Sequence, residues 1–113
     1  MREISVLELA EKLHSSDPFV LLDVREAWEL DHAHLPDRRV ARGPMTELSV
    51  RGLAALPEPA QHRDAEIFVL CHHGVRSAEV TGWLSSQGWT RVSNVAGGID
   101  AYADLVDPAV GKY

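Results

Sequence analysis

Two short, unbroken apolar runs constrain the fold of this chain more than any other feature. Phe19 to Leu22 and Ile67 to Cys71 are too brief for buried helices, and turn-forming residues flank the first run. Such runs are typical of strands that are covered on both faces of a parallel sheet. Parallel neighbours need crossover connections, which are usually helices that cover the sheet. The runs therefore predict a three-layer α/β domain, with function at the carboxyl ends of its strands.

Helical patterns alternate with these runs along the chain. Ser5 and Glu8 form a capping-box pattern ahead of apolar residues at helical spacing, which predicts a first helix. The later elements that we expect are helical turns at 26–31, a helix capped by Thr46, a helix from Arg76 to Gln87, a strand from Arg91 to Val95 and a helix from Asp100 to Leu105. The segments 37–42 and 57–65 are predicted to be a polar, basic stretch and a solvated loop.

Composition excludes several classes of protein. A chain of 113 residues fits one domain, so we expect a single domain over residues 1–113. A net charge of -6 offers no positive field that would gather nucleic acid. The apolar runs are far shorter than the roughly 20 residues that cross a bilayer, and we expect neither a membrane span nor a signal peptide. The single cysteine excludes an internal disulfide and favours a cytoplasmic location.

The chemistry is predicted to lie in the turn that follows the second apolar run. Cys71 is followed there by His72, His73, Gly74, Val75, Arg76 and Ser77, which we call, with Cys71, the Cys71 loop. A tight turn from strand to helix directs backbone N–H groups inward and adds the positive end of the helix dipole. A thiol at its centre should ionise more readily than free cysteine, since these donors and Arg76 stabilise the thiolate.

Alternatively, Cys71 is a small buried apolar residue that closes a core strand. Most free cysteines have this role. Its neighbours argue against this alternative, because two histidines, a glycine and an arginine contribute little to core packing. Gly74 would let the backbone curl around a bound atom with no Cβ in the way. The residues therefore favour a nucleophilic site at Cys71.

Four ordered segments carry a recognisable pattern. They are LLDVREAWEL at 21–30, HLP at 34–36, CHHGVRSAEVTGWLSSQGW at 71–89 and VSNVAGGIDAY at 92–102. Together they resemble the Asp-Val-Arg-Glu element, the His-Ile-Pro-Gly element, the active-site loop with its helix, and the terminal signature of rhodanese-type sulfurtransferases. The resemblance covers about residues 4 to 102. It implies the family's single-domain fold, with a central, mostly parallel sheet of about five short strands flanked by helices.

The resemblance also implies an activity. Cys71 would be the catalytic nucleophile that takes sulfane sulfur from a small donor such as thiosulfate, holds it as a persulfide and passes it to a thiol, cyanide or protein acceptor. The substrate-binding residues would be His72, His73, Gly74, Val75, Arg76 and Ser77, with Arg76 helping to hold an anionic donor. No cofactor is implied. In covalent catalysis of this kind, a thiolate with a lowered pKa divides the transfer into two displacement steps.

Two carboxyl-end residues and the histidines have simpler predicted roles. The resemblance implies that Asp23 and Arg25 form a structural pair, a buried or half-buried ion pair that shapes the site. The six histidines lack recognisable zinc-site spacing, so we expect no metal. Asp37 and Arg38 stand where the family usually has Gly-Ala. Arg38, Arg39 and Arg42 are expected to be a solvated charge run, with a basic rim for an acidic partner as the alternative.

Two other functions stay open. The chain could keep the fold as a non-catalytic interaction module, against which the intact cysteine and arginine argue. It could also be a phosphatase or arsenate reductase that uses the same cysteine. Those proteins place one more residue between cysteine and arginine, whereas four residues separate Cys71 from Arg76. The shorter loop should fit a single sulfur better than a phosphate.

Overall fold

Five parallel strands form one sheet at the centre of the protein. The computed structural model describes residues 1–113. The strands are β1 (Glu3–Ile4), β2 (Val20–Asp23), β3 (Val40–Arg42), β4 (Ile67–Leu70) and β5 (Val92–Val95), in the spatial order β1-β5-β4-β2-β3. Every neighbouring pair is parallel. The predicted α/β fold with about five short strands is confirmed.

Four helices connect the strands, and a fifth follows the last strand. They are α1 (Val6–His14), α2 (Ala27–Leu30), α3 (Met45–Arg51), α4 (Val75–Ser86) and α5 (Gly98–Leu105), with short 3-10 turns at Gly52–Ala55, Glu58–Ala60 and Pro108–Val110. The predicted capping box opens α1, since the Glu8 amide donates to Ser5 Oγ at 3.1 Å and the Ser5 amide donates to Glu8 Oε1 at 3.0 Å. No helix is both long and apolar enough to span a membrane.

Two apolar clusters cover the two faces of the sheet. Alternation along β4 places Phe68 and Leu70 in the cluster that α1 and α5 cover, with Leu9 and Ile99 among its members. Residues 67, 69 and 71 point to the other face, where Val80 and Leu84 of α4 pack. The side chain of Cys71 therefore lies on the α4 side of the sheet, beside the start of that helix.

Several sequence-based boundaries are wrong, for identifiable reasons. The segment 37–42 contains the edge strand β3, whose partly exposed side chains lack an apolar pattern. Thr46 does not cap α3, because the helix begins at Met45 after Pro44. The segment 57–65 is not fully solvated: Ala60 is buried, and its carbonyl accepts a hydrogen bond from Trp89 Nε1.

The segment around Asp37, just before β3, is hydrogen-bonded to the end of α1. The Asp37 carboxylate accepts from Arg39 Nε at 2.9 Å, and the Arg39 guanidinium donates to the carbonyls of Leu13 at 2.8 Å and Ser15 at 3.0 Å. No residue other than glycine has a positive φ, so Asp37 is not strained. Arg39 is thus a structural residue that satisfies carbonyls at the end of α1, and the expectation that it is solvated is wrong.

Candidate active site

Cys71 lies directly after β4, and its sulfur faces the interior of its own loop. The Gly74 amide donates to Sγ at 3.0 Å and the Ser77 amide at 3.4 Å, while Ser77 Oγ lies 3.2 Å from the sulfur. Gly74 has φ +97°, a left-handed conformation that glycine adopts without strain and that turns the chain into α4. The Cys71 residue is only 1% exposed. Two backbone N–H groups of the loop are therefore directed at the sulfur.

Other amides of the loop stay available for a second atom. The N–H groups of His73, Val75 and Arg76 make no hydrogen bond within the protein. The first N–H groups of a helix point out of its N-terminal end, which for α4 is the end where Cys71 lies. The structure thus places two amides of the predicted ring, Gly74 and Ser77, on Sγ, and leaves three neighbouring amides without a partner in the protein.

Asn94 fixes the geometry of this loop from the neighbouring strand. The Ser77 hydroxyl donates to Asn94 Oδ1 at 2.5 Å, and Asn94 Nδ2 donates to the Gly74 carbonyl at 3.3 Å. Because the Ser77 proton is directed at Asn94, its oxygen can accept the proton of a neutral Cys71 thiol. Asn94 is 2% exposed in the middle of β5. We did not predict this role of Asn94 from the sequence, where the available signal was a polar side chain within a predicted strand.

The start of α5 is hydrogen-bonded to the backbone of the Cys71 loop. The Ile99 amide donates to the Cys71 carbonyl at 2.9 Å, and the Asp100 amide donates to the His72 carbonyl at 3.1 Å. A Cβ on Gly98 would collide with the His72 carbonyl and lie 2.6 Å from the Cys71 oxygen. The Gly-Gly pair therefore permits a close approach between two backbones, and α5 begins at Gly98 rather than at the predicted Asp100.

The guanidinium of Arg76 is paired with a carboxylate that the sequence analysis did not single out. Both of its terminal nitrogens lie 2.7 Å from Glu29 oxygens, a bidentate geometry. Glu29 also accepts from the Glu26 amide and from the Tyr113 hydroxyl, each at 2.8 Å. The hydrogen bonds from Arg76 are the main cause that lowers the pKa of Glu29 to about 2. Arg76 is therefore already occupied in the protein without substrate.

Asp23 and Arg25 form the buried ion pair that the sequence predicts. Arg25 Nε lies 3.0 Å from Asp23 Oδ1 and Nη2 lies 2.8 Å from Oδ2. The Arg25 and Asp23 side chains are 0% and 3% exposed. The third guanidinium nitrogen of Arg25 donates to the Tyr113 hydroxyl at 3.1 Å, so this pair is linked to Glu29 through one tyrosine.

The two histidines of the loop belong to an aromatic stack. The His72 ring lies between Tyr113, at 3.7 Å between ring centres, and His73, at 3.9 Å. Burial, and secondarily His73, lowers the pKa of His72, so its ring is neutral near neutral pH. Nitrogens of both histidines and an oxygen of Asp100 lie within 4.8 Å of one another. Stacked rings do not direct their lone pairs at one point, and Lys112 Nζ already lies 2.9 Å from Asp100, so the cluster is unlike a tetrahedral metal centre.

The Glu29–Arg76 pair should make stability depend on acid. Because the folded-state pKa of Glu29 is lowered to about 2, its stabilisation is complete above the unfolded-state value near 4.5 and is lost as pH falls through 2. Glu29→Gln should therefore be less stable than wild type at pH 7, by on the order of 2 kcal/mol, and this gap should close on acidification. Urea unfolding across this pH range measures it. A gap that stays constant on acidification would contradict the role given to Arg76.

Comparison with known proteins identifies the family. The family model of the rhodanese-like domain matches residues 5–105. The chain belongs to the rhodanese-like domain family. The predicted resemblance is confirmed, and the matched range contains Cys71 and the whole of its loop.

Individual relatives agree with this assignment of the rhodanese domain. The chain is 36% identical over 116 residues to the rhodanese-like/PpiC domain-containing protein 12, chloroplastic, of Arabidopsis thaliana, covering 100% of this chain and 38% of that protein. It is 29% identical to a sulfurtransferase of Allochromatium vinosum, covering 91% and 89% of the two chains. The crystal structure of a rhodanese-like domain protein from Staphylococcus aureus superposes with a TM-score of 0.75 at 29% identity, covering 94% of this chain and 95% of that chain. These similarities support sulfur transfer as the general activity.

Proposed function

We propose that this rhodanese domain takes sulfane sulfur from a small donor such as thiosulfate onto Cys71 as a persulfide, and passes it to a thiol, cyanide or protein acceptor. One observation carries the proposal: Sγ receives the amides of Gly74 and Ser77, while further loop amides beside it have no partner. The first set stabilises a thiolate, and the second can stabilise the charge of an added outer sulfur.

The two steps are both displacements at sulfur. In the first, the Cys71 thiolate attacks the outer sulfur of thiosulfate, the Sγ–S bond forms, the S–S bond of the donor breaks, and its electron pair leaves on sulfite. In the second, cyanide attacks the outer sulfur of the persulfide, the new S–C bond forms, and the electron pair of the S–S bond returns to Cys71 as thiocyanate leaves. Atoms and charge balance in each step, and no cofactor takes part.

The size of the loop favours sulfur over phosphate. Four residues separate Cys71 from Arg76, and Gly74 already donates to Sγ across this short turn. Arg76, which would have to hold a phosphate, is engaged at 2.7 Å by Glu29. A phosphate ester would therefore meet a turn shorter by one residue than the loop of the phosphatases, and an arginine that already has a carboxylate partner.

An assay with three outcomes tests the proposal. The protein is incubated with thiosulfate and cyanide, and separately with a generic phosphate ester. We expect thiocyanate above the uncatalysed rate and no release of phosphate, because the loop is built around one sulfur. Release of phosphate would support a phosphatase instead, and the absence of both products would support a non-catalytic interaction module.

We also propose a cytoplasmic location. The mechanism needs Cys71 as a free thiolate, and a reducing compartment maintains thiols in that state. The acceptor is proposed to be a thiol or a protein, since a persulfide transfers its outer sulfur to thiolate nucleophiles by the same displacement.

A further inference from the structure

Both arginines near Cys71 are neutralised by buried carboxylates. Arg76 is paired with Glu29 through two hydrogen bonds of 2.7 Å, and Arg25 is paired with Asp23 through bonds of 2.8 and 3.0 Å. The carboxylate side chains are each 3% exposed. Buried partners of this kind do not exchange freely with ions from solvent, so each guanidinium keeps its carboxylate, although the Arg76 side chain is 34% exposed.

Glu29 is held firmly in this position. One of its oxygens accepts from Arg76 and from the Glu26 amide, and the other accepts from Arg76 and from the Tyr113 hydroxyl. Its pKa, lowered to about 2, keeps it ionised at neutral pH. If an anionic substrate drew Arg76 away, a buried carboxylate would lose its counter-ion, which is strongly unfavourable.

Two further groups close to the loop are neutral or paired. His72 is neutral near neutral pH, because burial lowers its pKa. Lys112 is paired with Asp100 at 2.9 Å and with Asp104 at 2.8 Å. The whole chain carries a net charge of -6. A dianion that approaches Cys71 therefore meets the amides of the loop, but its only arginine there already has a carboxylate partner, and the chain as a whole is negatively charged.

We propose that Glu29 is a specificity-determining residue that, by occupying Arg76, makes the site favour sulfur donors without net charge over dianionic donors. The substrate class is then alkyl persulfides whose charges cancel, with thiosulfate a slower donor. In this step the Cys71 thiolate attacks the outer sulfur of an ionised R–S–S⁻ group, the Sγ–S bond forms, the S–S bond of the donor breaks, and the electron pair leaves on R–S⁻ while the outer sulfur keeps its negative charge in the new Cys71 persulfide. The inference rests on the proposed function.

Two matched donors test the inference. Cysteamine persulfide is a zwitterion at neutral pH, whereas 3-mercaptopropionate persulfide has a similar length and carries two negative charges. The rate at which each adds one sulfur to Cys71 is followed by quenched-flow mass spectrometry. Wild type should prefer the zwitterion by roughly tenfold or more, and Glu29→Gln should reduce this preference by about tenfold, mainly by accelerating the dianion.

A charge-matched control variant completes the test, and two different negative results separate failure of the inference from failure of the proposed function. Glu79 is exposed, lies one turn along α4 from Arg76 and makes no ion pair, so Glu79→Gln should leave the preference unchanged within about twofold. An unchanged preference in Glu29→Gln, or an equal change in Glu79→Gln, would overturn the inference and leave the proposed function standing. If neither donor adds sulfur to Cys71 in wild type, the proposed function fails and the inference with it.

If Glu29→Gln does not fold, a measurement on wild type alone tests whether the site repels dianionic donors. Salt screens repulsion, so the loading rate with 3-mercaptopropionate persulfide should rise with sodium chloride concentration, while the rate with cysteamine persulfide stays nearly constant. A rate with the dianionic donor that falls as salt rises would show that the site attracts anions, and would overturn the inference.

Discussion

Replacing Cys71 with serine should abolish sulfur transfer, with thiocyanate formation reduced by roughly a thousandfold or more. The hydroxyl of serine has nearly the same shape as the thiol but is a far weaker nucleophile toward sulfur at neutral pH. Cys71 also carries the only thiol in the chain, since the sequence has one cysteine. Initial rates with saturating donor and cyanide measure the loss.

The fold of this variant provides the control. Ser77 Oγ and the Gly74 amide can both hydrogen-bond a serine hydroxyl in place of the sulfur, so the thermal midpoint of Cys71→Ser should lie close to that of wild type. Cys71→Ala should be equally inactive. Turnover that survives in a folded Cys71→Ser protein would mean that sulfur transfer does not pass through this residue.

Gly98→Ala should strongly destabilise the protein and slow the reaction. Gly98 has φ +65°, and an added Cβ would collide with the His72 carbonyl and lie 2.6 Å from the Cys71 oxygen. Backbone atoms on both sides cannot move aside as a flexible side chain would. We expect a loss of on the order of 3 kcal/mol, which lowers the thermal midpoint by roughly 10–15 °C, and a slower reaction because the Cys71 loop is displaced.

Gly82 offers a matched control on a regular helix. It is an exposed residue of α4, and a Cβ added there would have no neighbour within 4 Å beyond the backbone of its own helix. Gly82→Ala should therefore raise stability by about 0.5–1 kcal/mol, since alanine is the better helix former. Thermal unfolding of both variants compares the two effects. A Gly98→Ala protein that melts within about 2 °C of wild type would contradict the tight contact between α5 and the loop.

Sequence patterns predicted the elements that carry their own signal. The apolar run from Ile67 to Cys71 contains the strand Ile67–Leu70, and the capping box of Ser5 opens α1. The strands β1 and β3 were missed because they are two and three residues long with partly exposed side chains. Their structure comes from pairing with β5 and β2, which no local pattern encodes.

The candidate site shows the same division. Cys71 and its loop could be found in the sequence, because a thiol between a strand and a helix is a local pattern. Glu29 lies 47 residues from Arg76, and Tyr113 lies 84 residues from Glu29, so their hydrogen bonds depend on the tertiary fold. The sequence therefore predicted the reacting group and left out the residues that set the charge around it.

The central claim is that the Cys71 sulfur, oriented by loop amides, accepts a second sulfur atom. Mass spectrometry of the intact protein, after incubation with thiosulfate and separately with cysteamine persulfide, tests it most directly. The account predicts one adduct of about 32 Da per chain, located on the peptide that contains Cys71 and removed by cyanide. A mass that stays unchanged with both donors, or an adduct that cyanide leaves in place, would contradict the account.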